Sequence, residues 1–252
     1  MIGGTKRLMC KTSSAYIAVG VVLLTVMTLL GISAFLRVVE VDVSGASMHT
    51  YEEIIEASGL SSGDSMMYMN TQNVSRNILQ SLPFIKEARV TRSLPDRVLI
   101  EVTESVPIAS VTFSGETLIL DASGRVLERR NDSPGDLIEI RGLSISDARE
   151  GDQLRPETGA EINLRNMQDI LAAIEREGIA GDVSYLDVSN ITNIHFGYLN
   201  LYRVKLGGVR DLRHKMGELN STVERIEALR PNTPGDINMS DPSGEYKFSP
   251  QY

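Results

Sequence analysis

The chain has 252 residues with 33 acids, 25 bases and no tryptophan, for a formal net charge of −8. Three bases, Lys6, Arg7 and Lys11, precede the longest apolar run without an acidic counterpart, so 22 bases face all 33 acids beyond it. That acidic surplus argues against nucleic acid as a partner. Aromatic residues make up only 5% of the chain, which leaves no aromatic-lined groove for stacking a base or a sugar.

The apolar run is residues 15–36, AYIAVGVVLLTVMTLLGISAFL, without a charged side chain. As a helix it spans roughly 33 Å, enough to cross the hydrocarbon core of a bilayer. Bases before it and Glu40 and Asp42 after it predict a cytoplasmic N-terminus, with about 215 residues outside. A cleaved signal peptide is the rival reading, with Ile32-Ser33-Ala34 as small residues at a cleavage site, but the run exceeds the usual ~7–15 residue apolar core. The single cysteine, Cys10, lies before the run, so the part beyond it holds no disulfide, which suits a bacterial envelope.

Beyond the run, Val39, Val41 and Val43 alternate with Glu40 and Asp42, the period of a half-buried strand, and Gly45 ends it. Thr50-Tyr-Glu-Glu53 reads as a capping box opening a short helix that buries Tyr51, Ile54 and Ile55 and stops at Gly59. Asn70 or Thr71 caps a second helix with Val74, Ile78 and Leu82 on one face, ended by Pro83. Two strands follow, 85–92 and 97–102, joined by the turn Ser93-Leu-Pro-Asp96; Val98, Ile100 and Val102 form the inward set of the second. Strand, helix, helix, strand, strand gives two helices on one face of a three-stranded sheet.

Residues 82–104, LPFIKEARVTRSLPDRVLIEVTE, followed by Val106-Pro-Ile-Ala109, resemble the POTRA region of the FtsQ/DivIB family of bacterial cell-division proteins. The shared pattern is a proline opening the run, a strand ending in Arg-x-x-Pro, an Ile-x-Val-x-Glu strand and a Pro-x-Ala. Ser105 departs from it, standing where the resemblance implies a basic residue.

Val106-Pro107 marks the joint to a second domain. There, 118–121 and 124–127 read as a hairpin and 137–142 as a short strand. Thr158-x-x-Glu161 predicts a capping box opening a helix with Ile162, Met167, Ile170, Leu171 and Ile174 inward, closed by Gly178. Strands are predicted over 183–188, 194–198 and 201–206, a helix over 211–229, and final strands over 235–240 and 245–249. The hairpin at 120–126, the strand Val204-Lys-Leu-Gly207 and the strand at Asp236-Ile237 extend the family resemblance across nearly the whole outer region.

The predicted fold class is therefore α+β. A short cytoplasmic tail (1–14) and a transmembrane helix (15–36) lead to a POTRA domain (37–105, β-α-α-β-β). A mixed domain with a largely antiparallel sheet (106–252) follows, the FtsQ-type β domain. His49, His195 and His214 are scattered and lack metal-ligand spacing. Neither a nucleophile elbow nor a phosphate loop is present, and Gly207-Gly208 reads as the turn before a helix. The expectation is a non-enzyme that takes no cofactor, metal or small-molecule substrate.

What remains is binding through an open sheet edge, whose unpaired backbone groups accept a partner strand. The resemblance implies that the last strands do this for the membrane division proteins FtsB/DivIC and FtsL, in a complex that helps recruit or regulate septal peptidoglycan synthesis. It points to Ile237, Met239, Ser240, Ser243, Gly244, Tyr246 and Phe248. A second candidate edge for recruitment is the strand carrying Arg97, Leu99 and Glu101. The alternatives are a POTRA protein of polypeptide transport and a cell-wall hydrolase.

Overall fold

The structure, a computed structural model, describes residues 8–132, 134–241 and 246–251, and within the first helix the side chains of 16–28 and 31. Helix α1 (Leu8–Phe35) contains most of the apolar run and begins seven residues before it. Its threonines fold back on the helix, Thr25 Oγ1 donating to the Val21 carbonyl and Thr28 Oγ1 to that of Leu24, both at 2.8 Å. Such back-bonding pairs hydroxyls without leaving the helix. Among the described residues, no helix is long and apolar enough to cross a membrane. The flanking bases Lys6 and Arg7, and the side chain of Cys10, lie outside the described residues.

The chain forms two compact units. One holds the chain through Ser81 together with Ile85–Glu104; the other holds Leu82–Phe84 and the chain from Ser105 onward. In the first, β1 (Glu40–Ser44), α2 (Tyr51–Ser58), α3 (Thr71–Ser81), β2 (Ile85–Ser93) and β3 (Arg97–Glu104) follow the predicted order. Thr50 accepts the Glu53 amide while the Glu53 carboxylate accepts the Thr50 amide, and Gly59 closes α2 at φ 69°. For α3 the cap is Asn70, whose Oδ1 accepts the amides of Gln72 at 3.0 Å and Asn73 at 3.3 Å. Ile54, Val74 and Ile78 are buried, as are Val98, Ile100 and Val102, which alternate with exposed neighbours along β3. Tyr51 does not join them: it stays 44% exposed, its hydroxyl donating to the Val41 carbonyl.

The strand order is β1-β3-β2. β3 therefore lies in the centre, parallel to β1 and antiparallel to β2. Arg97, Leu99 and Glu101 sit in a strand whose backbone is paired on both sides, which overturns the expectation of an edge there. The edges of this sheet are β1 and β2.

The second unit is built on a nine-stranded mixed sheet. Its strands are β4 (Ala109–Phe113), β5 (Glu116–Leu120), β6 (Val126–Arg130), β7 (Ile138–Arg141), β10 (Val183–Asp187), β11 (Ile194–Tyr198), β12 (Tyr202–Gly207), β13 (Gly235–Asn238) and β14 (Lys247–Pro250), with the small pair β8 (Ile145–Asp147) and β9 (Arg155–Pro156) apart. The order is β14-β13-β12-β11-β10-β7-β4-β5-β6. Five of its pairings are antiparallel, and the parallel ones are β7 with β10, β4 with β7 and β12 with β13. Helices α4 (Glu161–Glu177) and α5 (Leu212–Leu229) add Met167, Ile170, Leu171, Ile174, Met216, Leu219, Val223 and Ile226 to the core. Each such side chain contributes about 1.5–3 kcal/mol by leaving water.

Two local expectations fail in α4. Thr158 is not its cap: the Ala160 amide bonds back to the Glu157 carbonyl at 2.9 Å, so the helix starts at Glu161 with Ala160 as N-cap. Ile162 in the first turn is 55% exposed rather than inward. The Gly178 close at φ 69° is as predicted.

Candidate partner-binding edge

The two ends of the nine-stranded sheet are built differently. At β6 the outer backbone is covered. The Val126 amide donates to the Asp152 carbonyl at 2.9 Å, the Gly151 amide to the Val126 carbonyl at 2.8 Å, and Arg125 bridges Gln153. The Glu150 carboxylate also takes the Arg129 amide at 2.9 Å. At the other end, among the described residues, β14 pairs only with β13.

Register fixes which groups of β14 are free. Ile237 lies opposite Phe248 and Gly235 opposite Pro250, and the Gln251 amide donates to the Pro234 carbonyl at 2.9 Å. Bonded and non-bonded pairs alternate along an antiparallel ladder. The residues that turn their backbone toward β13 are therefore Lys247, Ser249 and Gln251. The N–H and C=O of Phe248 face outward. Pro250 also falls on the outward phase, where its missing N–H removes no ladder bond.

Behind the edge the sequence builds a stiff support. Asp236 accepts Arg203 through two bonds, 2.9 and 2.7 Å, as well as Lys205 Nζ at 2.6 Å and Gln251 Nε2 at 2.9 Å. The hydrogen bond from Arg203 holds the Asp236 carboxyl below its ordinary range, and Lys205 adds to this. A planar fork on a carboxylate fixes orientation as well as charge. Phe248 lies over Gly235, where a Cβ would fall 2.5 Å from the ring, and meets Tyr202 edge-on at 6.1 Å. The Tyr202 hydroxyl donates to Glu227 of α5, and burial raises its pKa, with Glu227 adding to the effect. Between α5 and β14 runs a groove of about 480 Å³, in which Arg225, Arg230 and Lys247 surround Ile226, Leu229 and Phe248.

The residues expected to contact a partner are divided by this arrangement. Tyr246 and Phe248 are half-buried at the edge and pack on the core. Ile237 and Met239 are fully buried, so they support the edge and present no surface. Ser240 is exposed but turns back, its amide and hydroxyl both donating to Asn238 Oδ1 at 3.0 and 2.7 Å. Ser243 and Gly244 lie outside the described residues. The cations beside the edge were missed, because Arg225 and Arg230 lie in and just after α5, on a helix read only for its apolar stripe.

Gly207-Gly208 forms the turn between β12 and α5, and carbonyls there are held from the helix. Lys215, nine-tenths buried, donates to the Leu206 carbonyl at 2.7 Å and the Gly208 carbonyl at 3.5 Å, and burial lowers its pKa. Among the described residues, no group of three His, Cys, Asp or Glu side chains could hold a metal ion.

Residues 36–105 match the family model described as POTRA domain, FtsQ-type. Over 207 residues the chain is 26% identical to the cell division protein DivIB of Clostridium tetani, covering 82% of this chain and 77% of that protein. It is 29% identical over 214 residues to the cell division protein FtsQ of Syntrophotalea carbinolica, covering 83% and 70%. Over 157 residues it is 28% identical to the cell division protein FtsQ of Corynebacterium glutamicum, covering 61% and 68%. The first unit carries the POTRA order of strands and helices and matches an FtsQ-type POTRA domain, and the similarity to FtsQ and DivIB cell division proteins runs on through the second unit.

Proposed function

We infer that this protein is a bitopic division-site scaffold. On this reading α1 is a single membrane anchor with its N-terminus in the cytoplasm, and the POTRA unit and the mixed unit stand outside at the septum. Support comes from the uncharged apolar run 15–36 in the sequence and from the exposed apolar side chains between Tyr16 and Met27. The β14 edge receives a strand from an FtsB/DivIC-type partner. With an FtsL-type protein the assembly helps recruit or regulate septal peptidoglycan synthesis. The protein does no chemistry itself and takes no cofactor.

One observation carries the binding mode: a nine-stranded sheet covered at β6 leaves Phe248 N–H and C=O free at β14. Backbone pairing supplies affinity in strand addition. The test compares Phe248→Pro with Phe248→Ala in pull-downs of the two partner types, with circular dichroism confirming both fold. Each variant loses the ring, but only proline loses the outward N–H. Proline should weaken capture about tenfold further, the worth of one backbone bond to a partner strand. Equal capture by the two folded variants would remove strand addition at β14.

A further inference from the structure

Three segments of the POTRA unit meet at one end of its sheet. β1 begins there, β2 ends there and β3 begins there, because β1 runs parallel to β3 and β2 antiparallel. The chain leaving α1 is stitched to the loop between α2 and α3. The Leu36 carbonyl accepts the Met66 amide at 3.1 Å, the Val38 amide donates to the Asp64 carbonyl at 2.9 Å, and the Gly63 amide donates to the Val38 carbonyl at 2.8 Å. Arg37 bridges Ser65 and its guanidinium reaches the Gly63 carbonyl at 3.2 Å. The Val39 amide donates to the Asp96 carbonyl at 2.8 Å, and the Arg92 guanidinium to the Met69 carbonyl, which ties in the turn between β2 and β3.

This stitched end presents apolar side chains beside the exposed Arg97–Glu40 ion pair. Met66 and Met69 are buried and pin the loop, while the two residues between them face out, Met67 at 53% and Tyr68 at 82% exposure. Val39 and Leu94, on the other two segments, are 68% and 66% exposed. Single exposed apolar side chains are ordinary, but four large ones gathered at one end of a small domain mark an interaction surface.

We propose that this end of the POTRA unit is a membrane-interface contact, with Met67, Tyr68, Val39 and Leu94 entering the headgroup–acyl boundary and Arg37 facing lipid phosphate. The proposal rests on the reading of α1 as a membrane anchor. Continuity chooses the occupant: α1 ends at Phe35, and the next residue already holds Met66. At 3.8 Å per Cα step, the loop lies within about 8 Å along the chain of the point where the helix ends. Tyrosine suits that depth, its ring apolar and its hydroxyl wet. The gain is area-driven anchoring like that of an interfacial helix, with the domain's tilt fixed by three segments instead of one.

The chain contains no tryptophan, so Tyr68→Trp installs a lone tryptophan, excited selectively over the tyrosines. Met48→Trp is its control, since Met48 is 55% exposed and its amide bonds Glu104 at the opposite end of β3. Full-length protein is reconstituted in phosphatidylcholine–phosphatidylglycerol vesicles, with flotation as the check on anchoring. Lipids brominated high on the acyl chain should quench the reporter at position 68 by about half while leaving the one at 48 unchanged. If both variants float but acrylamide in the water quenches position 68 as strongly as 48, the interface contact is wrong and the anchor stands. If neither floats, the anchor reading falls and takes the contact with it.

Discussion

Glu104 shows how one side chain can organise a loop. Its carboxylate accepts the Ser47 hydroxyl at 2.6 Å, the Ser47 and Met48 amides at 2.8 Å, and the His49 amide and Nδ1 at 3.0 Å. Burial pushes its pKa up, but the bonds from Ser47, His49 and Met48 outweigh burial and hold it at about 2. The folded value lies below the ordinary 4.5, so the carboxylate stabilises the POTRA unit above pH 4.5. That stabilisation is lost as pH falls from 4.5 toward 2. Glu104→Gln should cost about 1–3 kcal/mol at neutral pH and flatten this acid dependence. Thermal melting of full-length protein at stepped pH, with hydrogen exchange at residues 47–49, checks both. Ser105 beside it illustrates a departure from family pattern with a visible use: it is buried, and its hydroxyl donates to the Asp121 carboxylate at 2.7 Å.

At the scale of elements, most of what local chemistry dictates was legible, the Thr158 box excepted, and what long-range pairing dictates was not. The Thr50–Glu53 box, the Gly59 and Gly178 closes and the alternation of Val98, Ile100 and Val102 each depend on a few adjacent residues. β4 went unread because Ala109, Ser110 and Val111 are buried in succession, which erases the period of two. Whether a strand is central or at an edge depends on partners far away in sequence. β3 alternates identically in either place, so its central position could not be read from Arg97–Glu104 alone. Gly45 is a local feature with a long-range cause: at φ 86°, a Cβ there would stand 2.1 Å from the Val102 carbonyl oxygen. Gly45→Ala should therefore destabilise the POTRA unit by about 1–3 kcal/mol, with faster hydrogen exchange in β1 and little change in β12 as the sign that the effect is confined to that unit.

At the scale of the whole molecule, the division reading predicts where the protein goes. A fluorescent fusion at the N-terminus should gather at midcell in dividing cells, and a uniform membrane signal would count against the scaffold. The two unlike ends of the nine-stranded sheet carry a further consequence. A sheet open at both ends can stack copy on copy without limit, the route to fibres, because each addition exposes a fresh edge. Here the 150–153 segment caps β6, so copies cannot stack β14 on β6 in an open row. Through this sheet, self-association can only be a closed two-fold pair of β14 edges, and such a pair hides the very groups a partner strand needs. Among the described residues, the nine-stranded sheet thus offers one open edge, at β14, and any strand it takes must compete with a second copy for it.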